Sequence, residues 1–324
     1  MIADAQPDST PHAPARASSA LLADEELDQV IEGYRTMIDL DPATEPRLRA
    51  VLEHVLGHPG SLVRAQLAFS ILRAHQVATD CALAVAVAIE YFHTASLVFD
   101  DMPCMDDASE RRGVPCAHVV HGEAAATLAG LALINRGYAL LWEVIATLPP
   151  EHRMEASQLV TSCLGLRGIL NGQSRDLHFS SSSRRERDVM DVAYGKTVTL
   201  IRLTLGLPAL VAGVMPAERD DLEHLSTLWG LAYQIMDDFK DCLMTPAETG
   251  KTSARDALLV HPNLPATIGH APAQARLTDL MRQASALVTR LERKPAAWGI
   301  LRRLQAVLER EQGQIDARLP VAAG

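Results

Sequence analysis

Two carboxylate clusters stand out in the chain: Asp100-Asp101-Met102-Pro103-Cys104-Met105-Asp106, with Asp107 next, and Asp237-Asp238-Phe239-Lys240-Asp241. Each adjoins a strongly apolar run. Magnesium prefers hard oxygen ligands, retains water, and commonly joins protein carboxylates to substrate phosphates. Two such clusters facing each other therefore suggest a magnesium cage for a diphosphate. At roughly 100° per residue, Gln234, Asp237, Asp238 and Asp241 share one helix face, with Leu222, Leu225, Trp229, Ala232, Met236 and Phe239 opposite. An isolated acidic face is ordinarily a solvated stripe. Leu231 and Ile235 beside the acids argue instead for a patch at the end of a buried helix.

Cations complete the pattern. Arg111-Arg112-Gly113 follows the first cluster, and Gly195-Lys196-Thr197 and Thr249-Gly250-Lys251 lie further on. The arginine fork suits phosphate oxygens, and lysine acts as a point charge. A P-loop is excluded, because its spacing requires glycine at position 190, where Met190 stands.

These residues need rigid elements. Cys81 to Phe99 is apolar almost all round, with Glu90 and His93 as ionisable exceptions, and belongs inside a helical bundle. Pro103 prevents a regular continuation beyond Asp100 and Asp101. The pattern predicts helices near 24–40, 45–57, 62–75, 79–100, 122–147, 151–171, 186–206, 217–243, 271–293 and 296–314. They are separated by Pro59-Gly60, Pro149-Pro150, Ser180 to Ser183 and Pro262 to Pro265. No strand pattern or internal repeat is expected. Residues 1–22, rich in Ala, Pro, Asp and Ser, read as a disordered tail, and 23–324 as one all-α domain. The stretch 244–270 reads as a mobile flap carrying Lys251.

Composition agrees: 324 residues, 48% hydrophobic, 4% aromatic, and a net charge of −10 that argues against nucleic acid as a partner. Five cysteines without paired spacing or a secretory signal point to reduced thiols and a cytoplasmic protein. His118 and His121 form half a zinc pattern with no second pair in view, so a structural role is the better reading. No uninterrupted apolar run reaches a membrane span, and no integral membrane segment is expected.

From about residue 50 to 256 the chain resembles the trans-prenyl diphosphate synthases of the polyprenyl synthetase family, most of all the bacterial geranylgeranyl diphosphate synthases. The resemblance rests on both aspartate motifs, Arg111-Arg112-Gly113, His121-Gly122-Glu123, Gly172-Gln173 with Asp176, Gly195-Lys196-Thr197 and Gln234. It implies the all-α isoprenoid synthase fold around a central apolar cavity, with three Mg2+ ions at its mouth. The implied metal set is Asp100, Asp101, Asp106, Asp176, Asp237, Asp238 and Asp241, with Gln173 and Gln234 supporting the shell and, together with Thr197, binding substrate. Arg111, Lys196 and Lys251 would grip the allylic diphosphate; Arg64, His93 and Arg112 would hold isopentenyl diphosphate. The implied reaction is 1'-4 head-to-tail condensation in a homodimer.

Ala95 and Ser96 lie about one turn behind Asp100, and Phe92 just over two turns behind. In the family a bulky residue at the Ala95 position stops growth at C15. The small pair therefore implies geranylgeranyl diphosphate (C20), with Phe92 and Tyr91 as the floor and Ala95→Tyr as a shortening variant. Two cations depart from the family pattern: its Gly-Gly-Lys becomes Pro59-Gly60-Ser61, and a Gly-Lys pair after Asp256 becomes Ala257-Leu258-Leu259-Val260. A non-catalytic subunit of a synthase heteromer and a class I terpene cyclase on the same fold are the alternatives.

Overall fold

The computed structural model describes residues 21–244, 261–293 and 296–319. Lys251 and most of the expected flap lie outside them. Helix α1 (Asp24–Thr36), α2 (Pro46–Gly57) and α3 (Val63–Ala74) lead into α4 (Thr79–Asp100). α4 is apolar on every side, so it is satisfied only at the centre of the bundle, where it packs against α1, α3 and α6.

After α4, β1 (Glu110–Arg111) and β2 (Val114–Pro115) form a small antiparallel hairpin, followed by α5 (Ala117–His121) and α6 (Glu123–Thr147). This pair of strands corrects the expectation of none. Two residues join them, Arg112 at φ 57° and Gly113 at φ 75°. Positive φ at both positions is the mirror-image turn that matches strand twist, easy for glycine and strained for arginine.

α4 and α6 run antiparallel in close contact. Phe99 abuts Gly130 and Phe92 abuts Gly137; a Cβ at these glycines would lie 2.7 Å and 3.0 Å from the respective rings. α4 and α6 are also long and apolar enough, by length and composition alone, to cross a bilayer, contrary to expectation. α4 is the enclosed core helix of this bundle. Only 39% of the apolar window of α6 is buried, so α6 carries an outward apolar face.

The expected helix over 151–171 is two: α7 (Pro150–Leu164) and α8 (Ile169–Leu177), interrupted where Gly165 and Gly168 leave helical geometry. The expected helix over 186–206 is also interrupted. α9 (Glu186–Ala193) passes into a wider turn at Tyr194–Val198, where the Thr199 N–H donates to the Tyr194 carbonyl, before α10 (Thr199–Val211) begins. α11 (Pro216–Leu243) packs on α10, and α12 (Leu264–Ile268) falls inside what was expected to be loop. α13 (His270–Glu292) and α14 (Gly299–Asp316) complete the chain.

Leu21 and Leu22, assigned to the tail from sequence, are buried, and their backbone N–H groups donate to Gln66 Oε1. All five cysteines are free thiols.

Candidate active site

A cavity of about 1340 Å³ opens among α3, α4, α6, α8, α10, α11 and α14. Asp100 and Asp106 from the end of α4 and the following loop line it, as do Asp176 from α8 and Asp237, Asp238 and Asp241 from α11. Residues as far apart in sequence as Asp100 and Asp241 thus share one chamber.

Lys196 joins the two sides of the first cluster. Gly172 on α8 and Gly195 in the wide turn meet backbone to backbone: a Cβ at Gly172 would lie 2.2 Å from the Gly195 carbonyl carbon. That close approach puts Lys196 Nζ 2.6 Å from Asp176 Oδ2 and 4.0 Å from Asp100 Oδ2. Burial opposes the lysine charge, but Asp100 and Asp176 more than offset it and raise its pKa. His261 Nδ1 lies 3.7 Å from Asp176 Oδ1. Burial works against the Asp176 charge too, yet His261 and Lys196 hold its carboxyl below the usual range.

Asp101 and Asp238 are each held by protein donors. Asp101 does not line the cavity: it is 6% exposed and accepts Arg111 Nε at 3.0 Å and Nη2 at 2.6 Å. In this structure it serves as the arginine's anchor. Asp238 is likewise engaged, Oδ1 accepting Gln234 Nε2 at 2.9 Å and Oδ2 accepting the Leu264 N–H at 2.8 Å. Thr197 Oγ1 donates to Gln234 Oε1 at 2.8 Å, so the wide turn, α11 and α12 are tied through one carboxylate. Burial, together with Asp237 and Asp241, pushes Asp238 up to about 7.

Asp100 is pushed up to about 6, first by burial and then by Asp106 and Asp176. Asp106 is raised by burial and by Asp176, and its Oδ1 is buried without a hydrogen-bond partner. Crowded hard-oxygen donors whose mutual repulsion resists ionisation fit a divalent cation. Among the described residues no three His, Cys, Asp or Glu side chains converge tightly enough to chelate an ion unaided. A cation held here would complete its shell with oxygens from another molecule, as magnesium does when it bridges carboxylates to phosphates.

Another part of the same cavity, the second pocket, is lined by Ser61, Arg64, Glu90, His93, Arg111 and Arg112. Glu90, 4% exposed, accepts the Ala65 N–H at 3.1 Å at the start of α3. His93 is held well below its ordinary value by burial and by Arg64, Arg112 and Arg111, so it is a neutral hydrogen-bonding group.

The apolar arm of the cavity is walled by Phe92, Ser96, Ile134, Tyr138, Leu170 and Leu200. Phe92 meets Tyr138 edge-on at 4.9 Å, and Tyr138 stacks on Trp142 at 5.9 Å. Two of the residues expected to set chain length lie outside this lining. Ala95, 1% exposed, is absent from the lining; it shares the α6-facing side of α4 with Phe92 and Phe99. Tyr91 is buried away from the cavity, its hydroxyl donating to the Tyr34 carbonyl at 2.9 Å.

Sequence reading missed His261 and Tyr138, and it singled out Glu90 without assigning it a role. His261 follows the Ala257–Val260 stretch that lacks the expected lysine, so the next position along held the signal. Nothing local in the sequence marks Tyr138, which reaches the floor only because α6 crosses α4. The histidine half-pattern does acquire neighbours: His54 stands 5.1 Å from His121 and 5.2 Å from His58, ring centre to ring centre. That group also fails to converge as a metal site.

The family model described as Polyprenyl synthetase matches residues 45–295. The geranylgeranyl diphosphate synthase of Pantoea ananas is 33% identical over 252 residues, covering 76% of this chain and 79% of that protein. The farnesyl diphosphate synthase of Geobacillus stearothermophilus is 30% identical over 232 residues, covering 71% and 78%. A geranyltransferase from Helicobacter pylori, solved with magnesium and isoprenyl diphosphate, superposes with a TM-score of 0.74 over 90% of this chain and 96% of its own. At 24% identity that likeness is one of fold.

Proposed function

The chain belongs to the polyprenyl synthetase family, and from that premise we propose that it is a trans-prenyltransferase joining an allylic diphosphate to isopentenyl diphosphate, with geranylgeranyl diphosphate as its main product. The observation that carries this reading is a single cavity lined by carboxylates with Lys196, by Arg64 and Arg112 with a neutral His93, and by apolar side chains.

Asp100, Asp106, Asp237 and Asp241 would hold Mg2+. Bound there, the metal neutralises the charge that builds on a departing diphosphate. Arg111, fixed by Asp101, and Lys196, fixed by Asp176, place positive charge where the allylic carbon–oxygen bond breaks. Arg64 and Arg112 orient isopentenyl diphosphate so that its double bond attacks the allylic cation at C1. A proton then leaves the new chain to the released diphosphate. The walls of Phe92, Ile134, Leu170 and Leu200 keep out water, which would trap the cation as an alcohol. No side-chain nucleophile is needed.

Purified protein with magnesium, an allylic diphosphate and labelled isopentenyl diphosphate tests the assignment. Label in a longer diphosphate is expected; a hydrocarbon product would instead indicate a cyclase, and no product a partner subunit.

Ser61 is exposed beside Arg64 on the second pocket. Ser61→Lys adds a charge-assisted contact and lowers the KM for isopentenyl diphosphate about tenfold. An unchanged KM would show that another group already fills this role.

A second copy of this chain is the proposed partner. Val119, Val120, Leu128, Leu131 and Trp142 on α5 and α6 are exposed, a concentration of apolar surface that association would cover. Light scattering should give twice the chain mass, and Leu128→Glu with Leu131→Glu should halve it. A monomeric wild type would exclude this interface.

A further inference from the structure

We propose that Gly60 is a positioning residue of the second pocket, its bare Cα forming the seat that holds the Arg112 guanidinium in place. The proposal rests on the reading that Arg112 binds isopentenyl diphosphate.

Arg112 occupies the tip of the β1–β2 hairpin at φ 57° and is exposed. A long side chain there would sample many rotamers and lose that freedom on binding an anion. The guanidinium instead lies across Gly60: a Cβ built on Gly60 would stand 1.9 Å from Nη1, 2.7 Å from Cζ and 3.0 Å from Nη2. Those three distances put the guanidinium where a side chain on Gly60 would begin. The φ of Gly60 is outside the left-handed range, unlike that of Gly113 or Gly122, so its own backbone does not call for glycine. Within this contact it is Arg112 that excludes a side chain.

The seat matters because charge in this pocket is sparse. Position 61 supplies a hydroxyl where a cation is usual, His93 is neutral, and Arg111 is committed to Asp101. Arg64 and Arg112 therefore carry the pocket, and an arginine already in position loses less entropy per bond formed.

Gly60→Ala, Arg112→Ala and the double variant, each as full-length protein, test this through the KM for both substrates, kcat and Tm. Gly60→Ala is expected to raise the isopentenyl diphosphate KM about tenfold. The effect should fall on that KM rather than on kcat or the allylic KM, and should vanish in the Arg112→Ala background. If Arg112→Ala leaves the KM unchanged, the pocket reading fails and the seat with it. If Arg112→Ala raises the KM but Gly60→Ala does not, the seat alone is overturned. A full Gly60→Ala effect in the double variant would also overturn it, since the change would then act through the backbone. Should Gly60→Ala not fold, recovery of folding in the double variant supports the seat, and failure to recover overturns it.

Discussion

Asp100→Ala and Asp237→Ala are each expected to lower kcat/KM by about 10²- to 10³-fold, the loss typical of removing one electrostatic group from a reaction centre. Folding should survive. The Asp100 side chain is 14% exposed at the C-terminal end of α4, and Asp237 is half-buried on the cavity face of α11. Asp101→Ala and Asp238→Ala should behave differently. Losing Asp101 strips Arg111 of its anchor, and losing Asp238 releases the Leu264 N–H that starts α12. Both variants should lose thermal stability along with activity. Circular dichroism melts beside steady-state kinetics separate the two classes, and full turnover in Asp100→Ala or Asp237→Ala would remove those residues from the diphosphate site.

Ser96→Phe is expected to change the main product from C20 to C15. Ser96 opens on the apolar arm one turn closer to the carboxylates than Phe92, so a ring there closes the channel early. Ala95→Tyr, the substitution suggested by family pattern, should instead lower Tm. Ala95 is fully enclosed on the side of α4 that meets α6, where added volume forces the helices apart. Mass spectrometry of the products reads the outcome; a folded Ser96→Phe enzyme still making mainly C20 would rule out this arm as the path of the growing chain.

Much of the candidate site was legible because clustered carboxylates at the end of an apolar helix are costly unless a counter-charge meets them. Asp100, Asp106, Asp237 and Asp241 carry that signature in one dimension, and α4 was bounded to the residue by its composition. What could not be read was how each carboxylate is employed. Asp101 and Asp238 look identical to their neighbours in sequence, and only the proximity of Arg111 and the return of the chain at Leu264 commit them to protein donors. The wide turn at Tyr194–Val198 was equally hidden. No proline marks a break there, and the contact with Gly172 that accompanies the departure is distant in sequence. The floor failed to resolve for a related reason: helical angle ranks Ala95 and Ser96 together, whereas the approach of α6 separates them.

Phe92 and Phe99 are seven residues apart on α4, and the glycines that receive them, Gly137 and Gly130, are seven apart on α6. The two helices therefore engage like a ratchet with two teeth. Sliding by one or two residues drives a ring into a Cβ-bearing position, and even a seven-residue slide, about 10.5 Å at the rise of an α-helix, would seat only one of the two rings. That step exceeds an isoprene unit, which spans roughly one helical turn. Small thermal excursions of the bundle thus cannot move the floor by one unit at a time, and the product ladder keeps a sharp upper rung.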